Sequence, residues 1–427
     1  MRRLTLLFLV SSLAVSGVAF GSGFSIFEQG AKATAMGGAF AATADDPSAI
    51  FYNVAGIAQL RQMEVNGGTT IINFSNEFRG DPNDPFTSGT TSEYRHHTFI
   101  PPNLYVVVPI GDNMTFGVGS FAAYGLRTDW ERPWAGRFIS NDANVKTVSV
   151  EPAIAWKTSS GRLAVGFGAE YRRSHITLDR NIPLPFPSPF TGRIVDIANA
   201  HLDSSWDASW GWNAGILLKP NDTWRIGLSH RAQMTIDYKG KAVFTQISTG
   251  NAQLDALAKA GIPPNQDITT SINYPATTAL GVATSAINNW DLEADIVHTT
   301  WSRFKSLDIT FVTTPANNIS RPQNWKNTNS YRLGANRHIG SDWEIRLGGV
   351  FDKNPQPTEG VGPLLPDSDR VGAAFGVGFH RGRWRIDVSE FILHFKNRST
   401  NGLSSDRFNG TYHTDATLPA FNVGMKF

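Results

Sequence analysis

Residues 210–238 read WGWNAGILLKPNDTWRIGLSHRAQMTIDY, and this stretch decides the fold. Trp210, Trp212, Ala214, Ile216 and Leu218 alternate with Gly211, Asn213 and Gly215. A tight polar turn, Lys219-Pro-Asn-Asp-Thr223, follows. Alternation then resumes in Trp224, Ile226 and Leu228 and runs on to Met234, Ile236 and Tyr238, read here as one apolar face. A period of two is the signature of a strand with one apolar and one polar face. Both arms are long and open on a tryptophan. Sandwich strands are usually shorter, whereas a tilted membrane strand needs about ten residues and carries aromatics at the lipid–water boundaries.

The same pattern repeats along the chain, as in Leu163 to Tyr171, Trp290 to Ile296, Trp343 to Leu347 and Trp384 to Val388. About fourteen such segments follow Met63, an even number as a closed antiparallel bacterial barrel requires. Two of these segments span 223–245 and 269–287. Short connections alternate with long ones, including 179–207, 246–268 and 313–327, which places short turns on the periplasmic side and long loops outside. The expected fold is all-β: a transmembrane antiparallel barrel of about fourteen strands over 62–427. The final Phe421-Asn-Val-Gly-Met-Lys-Phe427 alternates and ends on an aromatic, which resembles the signal that barrel-assembly machinery recognises during biogenesis.

Composition agrees. The 427 residues include no Cys, 40 Gly, 27 Phe and 12 Trp, with a formal net charge of +2. Mean hydropathy is slightly negative, as an apolar outside and a polar lumen average out. Without Cys there is no disulfide scaffold or thiolate chemistry, which suits passage through an oxidising periplasm. Without a basic run, nucleic acid is not expected as a partner. Arg2-Arg3, the apolar run from Leu4 to Val15, and small residues at Gly17, Ala19 and Gly21 form an expected signal peptide, 1–21, cleaved after Ala19 or Gly21. No stretch approaches the ~20 apolar residues of a membrane helix.

Between the signal and the first strand lies 22–61, rich in Gly and Ala and closing on Tyr52-Asn53-Val54-Ala55-Gly56. Small side chains let turns and short helices fill a confined space, so this segment is expected to form a hatch that plugs the lumen. Two loops are apolar: Leu184, Phe186 and Phe190 lie in a proline-rich run, and Leu254, Leu257 and Ala258 share one face of an expected helix at 252–260. They are expected to pack over the barrel mouth and to form an outer groove for a greasy solute. No nucleophile elbow, zinc signature or phosphate loop occurs. No enzyme activity, cofactor or metal is expected, and the scattered His are read as ordinary barrel or loop residues.

The residues also resemble a family. Gly23-Phe24, Glu28, Met36-Gly-Gly-Ala39, Ala44-Asp-Asp-Pro-Ser-Ala49, Tyr52-Asn53-x-Ala55-Gly56, Tyr124-Gly125-Leu126, Tyr331-Arg332-x-Gly334 and Pro366-Asp-Ser-Asp-Arg370 are similar, in this order, to the FadL-like outer-membrane transporters. That resemblance implies passive uptake of a hydrophobic small molecule from an outer loop groove into a lumen pocket. Sideways exit into outer-membrane lipid would follow at a kink in the third strand. It implies that Phe24 reaches the pocket, that Tyr124 and Gly125 mark the kink, and that Asn53, Ala55 and Gly56 form a hatch turn bonded to the barrel. Val54 departs from the family, which usually has Pro there. Fatty-acid members anchor a carboxylate with an Arg and a Lys. Arg180 and Lys326 are the nearest candidates, each about two positions out of register, with Leu178 the ungapped match to the Arg. Long-chain fatty acids are the first expectation and aromatic hydrocarbons by the same route the alternative. A general porin and an outer-membrane lipase are more remote.

Overall fold

The structure is a computed structural model and describes residues 23–184 and 194–427. The expected signal peptide, Phe186 and Phe190 lie outside the described residues. Fourteen antiparallel strands close into a barrel. In chain order they are β1 (Glu64–Thr70, Ile72–Gly80), β2 (Thr91–Glu93, Thr98–Phe99, Pro102–Ile110), β3 (Met114–Phe121, Gly125–Asp129), β4 (Asp142–Lys157) and β5 (Leu163–Pro183). Next come β6 (Asp196–Ser204, Asp207–Leu218), β7 (Trp224–Arg231, Met234–Gln246), β8 (Gln266–Tyr274, Thr277–Thr284), β9 (Trp290–Thr299, Ser306–Phe311) and β10 (Ile319–Pro322, Thr328–Ile339). The circuit ends with β11 (Trp343–Asp352), β12 (Arg370–Arg381), β13 (Trp384–Phe395) and β14 (Gly410–Thr417, Ala420–Lys426). β14 closes on β1, with Glu64 opposite Lys426 and Asn73 opposite Thr417.

Closure pairs each strand with a neighbour on both sides, as a sheet immersed in lipid requires, with one break at β3. Short turns carry Gly111, Gly161, Gly340 and Gly382 at φ 61–68°, a conformation that costs a residue with a Cβ. Trp224, Trp290, Trp343 and Trp384 open the ascending strands at the periplasmic rim, while Trp210 lies near the outer rim of descending β6. Val165, Phe167, Leu280, Ile296, Leu333 and Leu347 are among the large apolar side chains left exposed on the outer wall. That surface is solvated by lipid.

Two expectations need correction. The loop expected at 179–207 is largely β-structure: β5 runs to Pro183 and β6 starts at Asp196, paired from Thr177–Asp203 upward. And the apolar series from Trp224 to Tyr238 is not one face. β7 is interrupted at Ala232 and Gln233, β6 at Ser205 and Trp206, and β8 at Pro275 and Ala276. Each two-residue interruption reverses which side chains face inward. Trp224 and Leu228 are exposed outside, whereas Met234, Ile236 and Tyr238 are buried inside.

Residues 24–60 are buried almost throughout, inside the ring of strands. They form α1 (Ala31–Ala35), α2 (Ala49–Tyr52) and a 3-10 turn (Val54–Gln59). Two carboxylates of β9 hold the chain between α1 and α2. Asp295 Oδ2 accepts from the N–H of Phe40 and Ala41 at 2.9 and 3.0 Å, and Glu293 accepts from Ala42 and Thr43 at 2.7 and 2.9 Å. Ion pairs line the lumen around them: Arg231 bridges Glu151 and Glu170, and Arg346 bridges Glu344 and Asp387.

Candidate functional site

The wall is incomplete at β3. Residues 122–124 leave the strand, and pairing between β2 and β3 ends at Leu104–Ser120, resuming only as a bridge between Tyr94 and Trp130. The freed backbone groups are taken by the N-terminal segment. Ile26 N–H donates to Ala123 O at 2.8 Å, Gly125 N–H donates to Phe24 O at 2.9 Å, and Gln29 Nε2 donates to Ala122 O at 2.6 Å. A buried polar group left unpaired costs ~1–3 kcal/mol, so this segment closes the seam by completing its ladder. Tyr124 and Gly125 therefore sit at the edge of the break. The Tyr124 hydroxyl donates to Pro275 O at 3.1 Å, tying β3 to the interruption in β8.

Phe24 stands at the centre of an aromatic cluster. Its ring lies 4.9 Å from Trp301, 5.5 Å from Phe304 and 5.9 Å from Tyr124, Tyr274 and Trp325. These distances and the tilted geometries are favourable for aromatic pairs. Above the ring, a cavity with about 790 Å³ of empty space is lined by Phe24, Ile176, Leu178, Leu202, Ile268, Ile272, Ile309 and Leu365, with Asn144, Thr177, Thr270 and Gln323 among its polar members. Below it, Ser25, Ile26 and Phe27 border a second cavity with Arg231, Asp295, Arg332 and Asp352 in its wall. Phe24 divides an apolar chamber from a charged one.

Arg180 and Lys326 do not line the apolar chamber. Arg180 is half-buried near the outer end of β5. Lys326 is exposed, its backbone N–H held by Pro355 O at 2.9 Å. Leu178 occupies the wall instead, and Trp325, next to Lys326, joins the Phe24 cluster. Among the described residues Asp203 is the one charged side chain in the lining, and it binds His175 at 2.7 Å.

Asn53 is fully engaged. Its amide nitrogen donates to Ala41 O at 2.7 Å and to Ile216 O of β6 at 3.1 Å, while its oxygen accepts from Ala55 N–H at 3.2 Å. Gly56 packs so tightly that a Cβ would lie 2.3 Å from Ala44 O. Val54 takes the first position of the 3-10 turn, where the N–H has no partner within the turn and a proline fits for that reason. Over the mouth, α3 (Ala252–Gly261) buries Leu254 and Ala258 against Leu184 and Ile197, whereas Leu257 is exposed. Asp367 in the loop before β12 accepts from Gly23 N–H at 3.0 Å, and burial pushes its carboxyl up to about 7 against the pull of Arg370.

Comparison with known proteins fits this geometry. Residues 12–427 match the family described as Outer membrane protein transport protein (OMPP1/FadL/TodX). The chain belongs to that family. It is an outer-membrane transport barrel and not an enzyme. It is 25% identical to the long-chain fatty acid transport protein of Salmonella typhi, over 99% of this chain and 98% of that protein. The fold is shared with a FadL homologue of Pseudomonas aeruginosa at a TM-score of 0.82 and 20% identity, covering 95% of this chain and 100% of that one. It is also shared with the toluene transporter TodX of Pseudomonas putida at 0.74 and 16%, with 95% and 100% covered.

Sequence reasoning missed the partners of Phe24. Tyr274, Trp301, Phe304 and Trp325 lie about 250–300 positions away from it in the chain. Pro275, inside a span read as continuous strand, was the available signal, since proline within a strand marks a bulge or an edge.

Proposed function

We propose that the protein carries uncharged hydrophobic molecules passively into the outer membrane. A solute is gathered by the apolar loop surface around Leu184 and Leu254 and passes into the chamber above Phe24. Withdrawal of the N-terminal segment, acting as the hatch, then frees Ala122 O, Ala123 O and Gly125 N–H, and the solute leaves sideways between β2 and β3 into lipid. Each buried CH₂ favours an apolar phase by ~0.8 kcal/mol, so the exit into lipid is downhill without a motor. The lining carries the reading: the chamber wall is largely apolar, no Lys or Arg is in it among the described residues, and a carboxylate there would be desolvated without a partner from them.

The second reading is long-chain fatty acids, favoured by the names of curated relatives such as that of Salmonella typhi. Uptake of toluene and of oleate, in cells whose only such transporter is this protein, separates the two. Toluene uptake well above oleate uptake is expected, and Leu178→Arg should lower the first and raise the second. Oleate uptake alone by the unaltered protein would reject the uncharged class. Deleting Gly125 should abolish uptake of either solute while the barrel keeps its heat-dependent migration on a gel; unchanged uptake would remove the lateral route.

A further inference from the structure

The outer wall holds a polar hollow that transport does not use. On β7, β8 and β9 the exposed side chains are apolar up to Leu228, Leu280 and Ile296. The strands are then interrupted at Ala232–Gln233, Pro275–Ala276 and 300–305. Directly beyond that level, Gln233, Thr235, Asn273, Arg303 and Lys305 line a hollow with about 490 Å³ of empty space, backed by the buried Tyr274. Gln233, Thr235, Arg303 and Lys305 are exposed on the outside of the barrel.

The groups converging there are donors. Neither Arg303 nor Lys305 has a side-chain partner among the described residues. Thr235 Oγ1 donates to Asn273 Oδ1 at 2.6 Å, leaving the Asn273 amide nitrogen free to face an acceptor. The nearest carboxylate on β9, Asp308, is already held by the hydroxyls of Ser306 and Ser320 at 2.5 and 2.6 Å. Further out on the same face lie two more exposed carboxylates, Asp237 of β7 and Asp267 of β8.

We propose that this hollow binds the phosphate of an outer-leaflet lipid headgroup, such as a phosphorylated glycolipid presents. A single amphiphile satisfies both halves of the surface: acyl chains lie on Leu228, Leu280 and Ile296, and the phosphate meets Arg303 and Lys305 where the apolar band ends. Charge-assisted bonds from Arg to phosphate are the stronger kind, and cations near a membrane surface are drawn to anionic headgroups.

The test is lipid retention by the full-length barrel, followed by native mass spectrometry after mixing with a bisphosphorylated, multiply acylated disaccharide lipid or its phosphate-free counterpart. The unaltered protein should favour the phosphorylated lipid by on the order of tenfold. Arg303→Gln combined with Lys305→Gln should lose that preference while keeping its heat-dependent gel migration. Equal retention of the two lipids, or an undiminished preference in the double variant, overturns the proposal. Displacement by millimolar inorganic phosphate alone would assign the hollow to a soluble anion and overturn the lipid source.

Discussion

The lumen below Phe24 and the lumen above it are built to opposite rules. Below, Arg231, Glu151, Glu170, Arg346 and Asp387 face inward while Leu228, Leu280 and Ile296 face lipid. Above, Leu202, Ile236, Ile268 and Ile309 are buried inside while Thr235, Asp237 and Lys239 are exposed outside. One continuous wall thus exchanges the polarity of its faces. β6, β7 and β8 make the exchange by a two-residue interruption. β5 makes it without a break, its inward series changing from Glu170, Arg172 and Ser174 to Ile176 and Leu178. The exchange falls where the exposed outer side chains change from apolar to polar, and it leaves an apolar chamber above the charged part of the lumen.

The two regions should respond differently to substitution. Arg231 lies between Glu151, at 2.7 Å, and Glu170. Arg231→Met leaves those carboxylates buried with one cation fewer, and removing one partner of a buried ion pair costs about 3–5 kcal/mol. Above, Ile236→Val removes one methylene from an apolar wall and should cost ~0.5–1.5 kcal/mol. Urea unfolding in phospholipid vesicles measures both. Equal losses would break the contrast, because they would mean that the lower network contributes no more than ordinary packing.

A second difference concerns pH. Burial holds the Asp367 carboxyl at about 7, above its ordinary value of 3.8. The closed state, in which Gly23 is docked on it, therefore binds the proton more tightly than an open, solvated state. Its stabilisation is fully present below pH ~4 and is lost as pH rises through 7, by at most ~4 kcal/mol for a shift of about three units. Amide exchange at Gly23–Ile26, corrected for its intrinsic rate, should quicken between pH 4 and 8, and Asp367→Asn should flatten the profile. Protection that does not change with pH would show that docking of Gly23 does not raise the proton affinity of Asp367.

The barrel was legible because lipid demands alternation, and alternation is local. The inversion inside β7 was not. Trp224 to Leu228 and Met234 to Tyr238 keep apolar residues on even numbers throughout, and a side chain facing lipid has the same chemistry as one facing an apolar chamber. Period two cannot separate them. Asn53, Tyr124 and Gly125 could be pointed to by the family resemblance, since a tight turn and a strand break are each carried by a few consecutive residues, even though their bonds reach Ile216, Pro275 and Phe24 far off in the chain. Arg180 and Lys326 could not, because whether side chains on separate strands converge depends on strand height and register. For the same reason the ungapped match at Leu178, rather than the nearest cation, marks the chamber wall.

The smallest expected effect lies at the very top of the upper region. Asn251 caps α3, its side-chain oxygen accepting from the N–H of Gln253 and Leu254 at 2.9 and 3.1 Å. Asn251→Ala should cost ~1 kcal/mol of helix stability, with the barrel unchanged. Because α3 holds Leu254 and Ala258 against Leu184 and Ile197, loosening it exposes the loop cluster without touching the chamber. Exchange within 252–261 should rise by several-fold, and solute capture at low concentration should weaken while transport at saturation is kept. A loss at saturation as well would place the loop cluster within the chamber's own wall and move the boundary between the two regions outward.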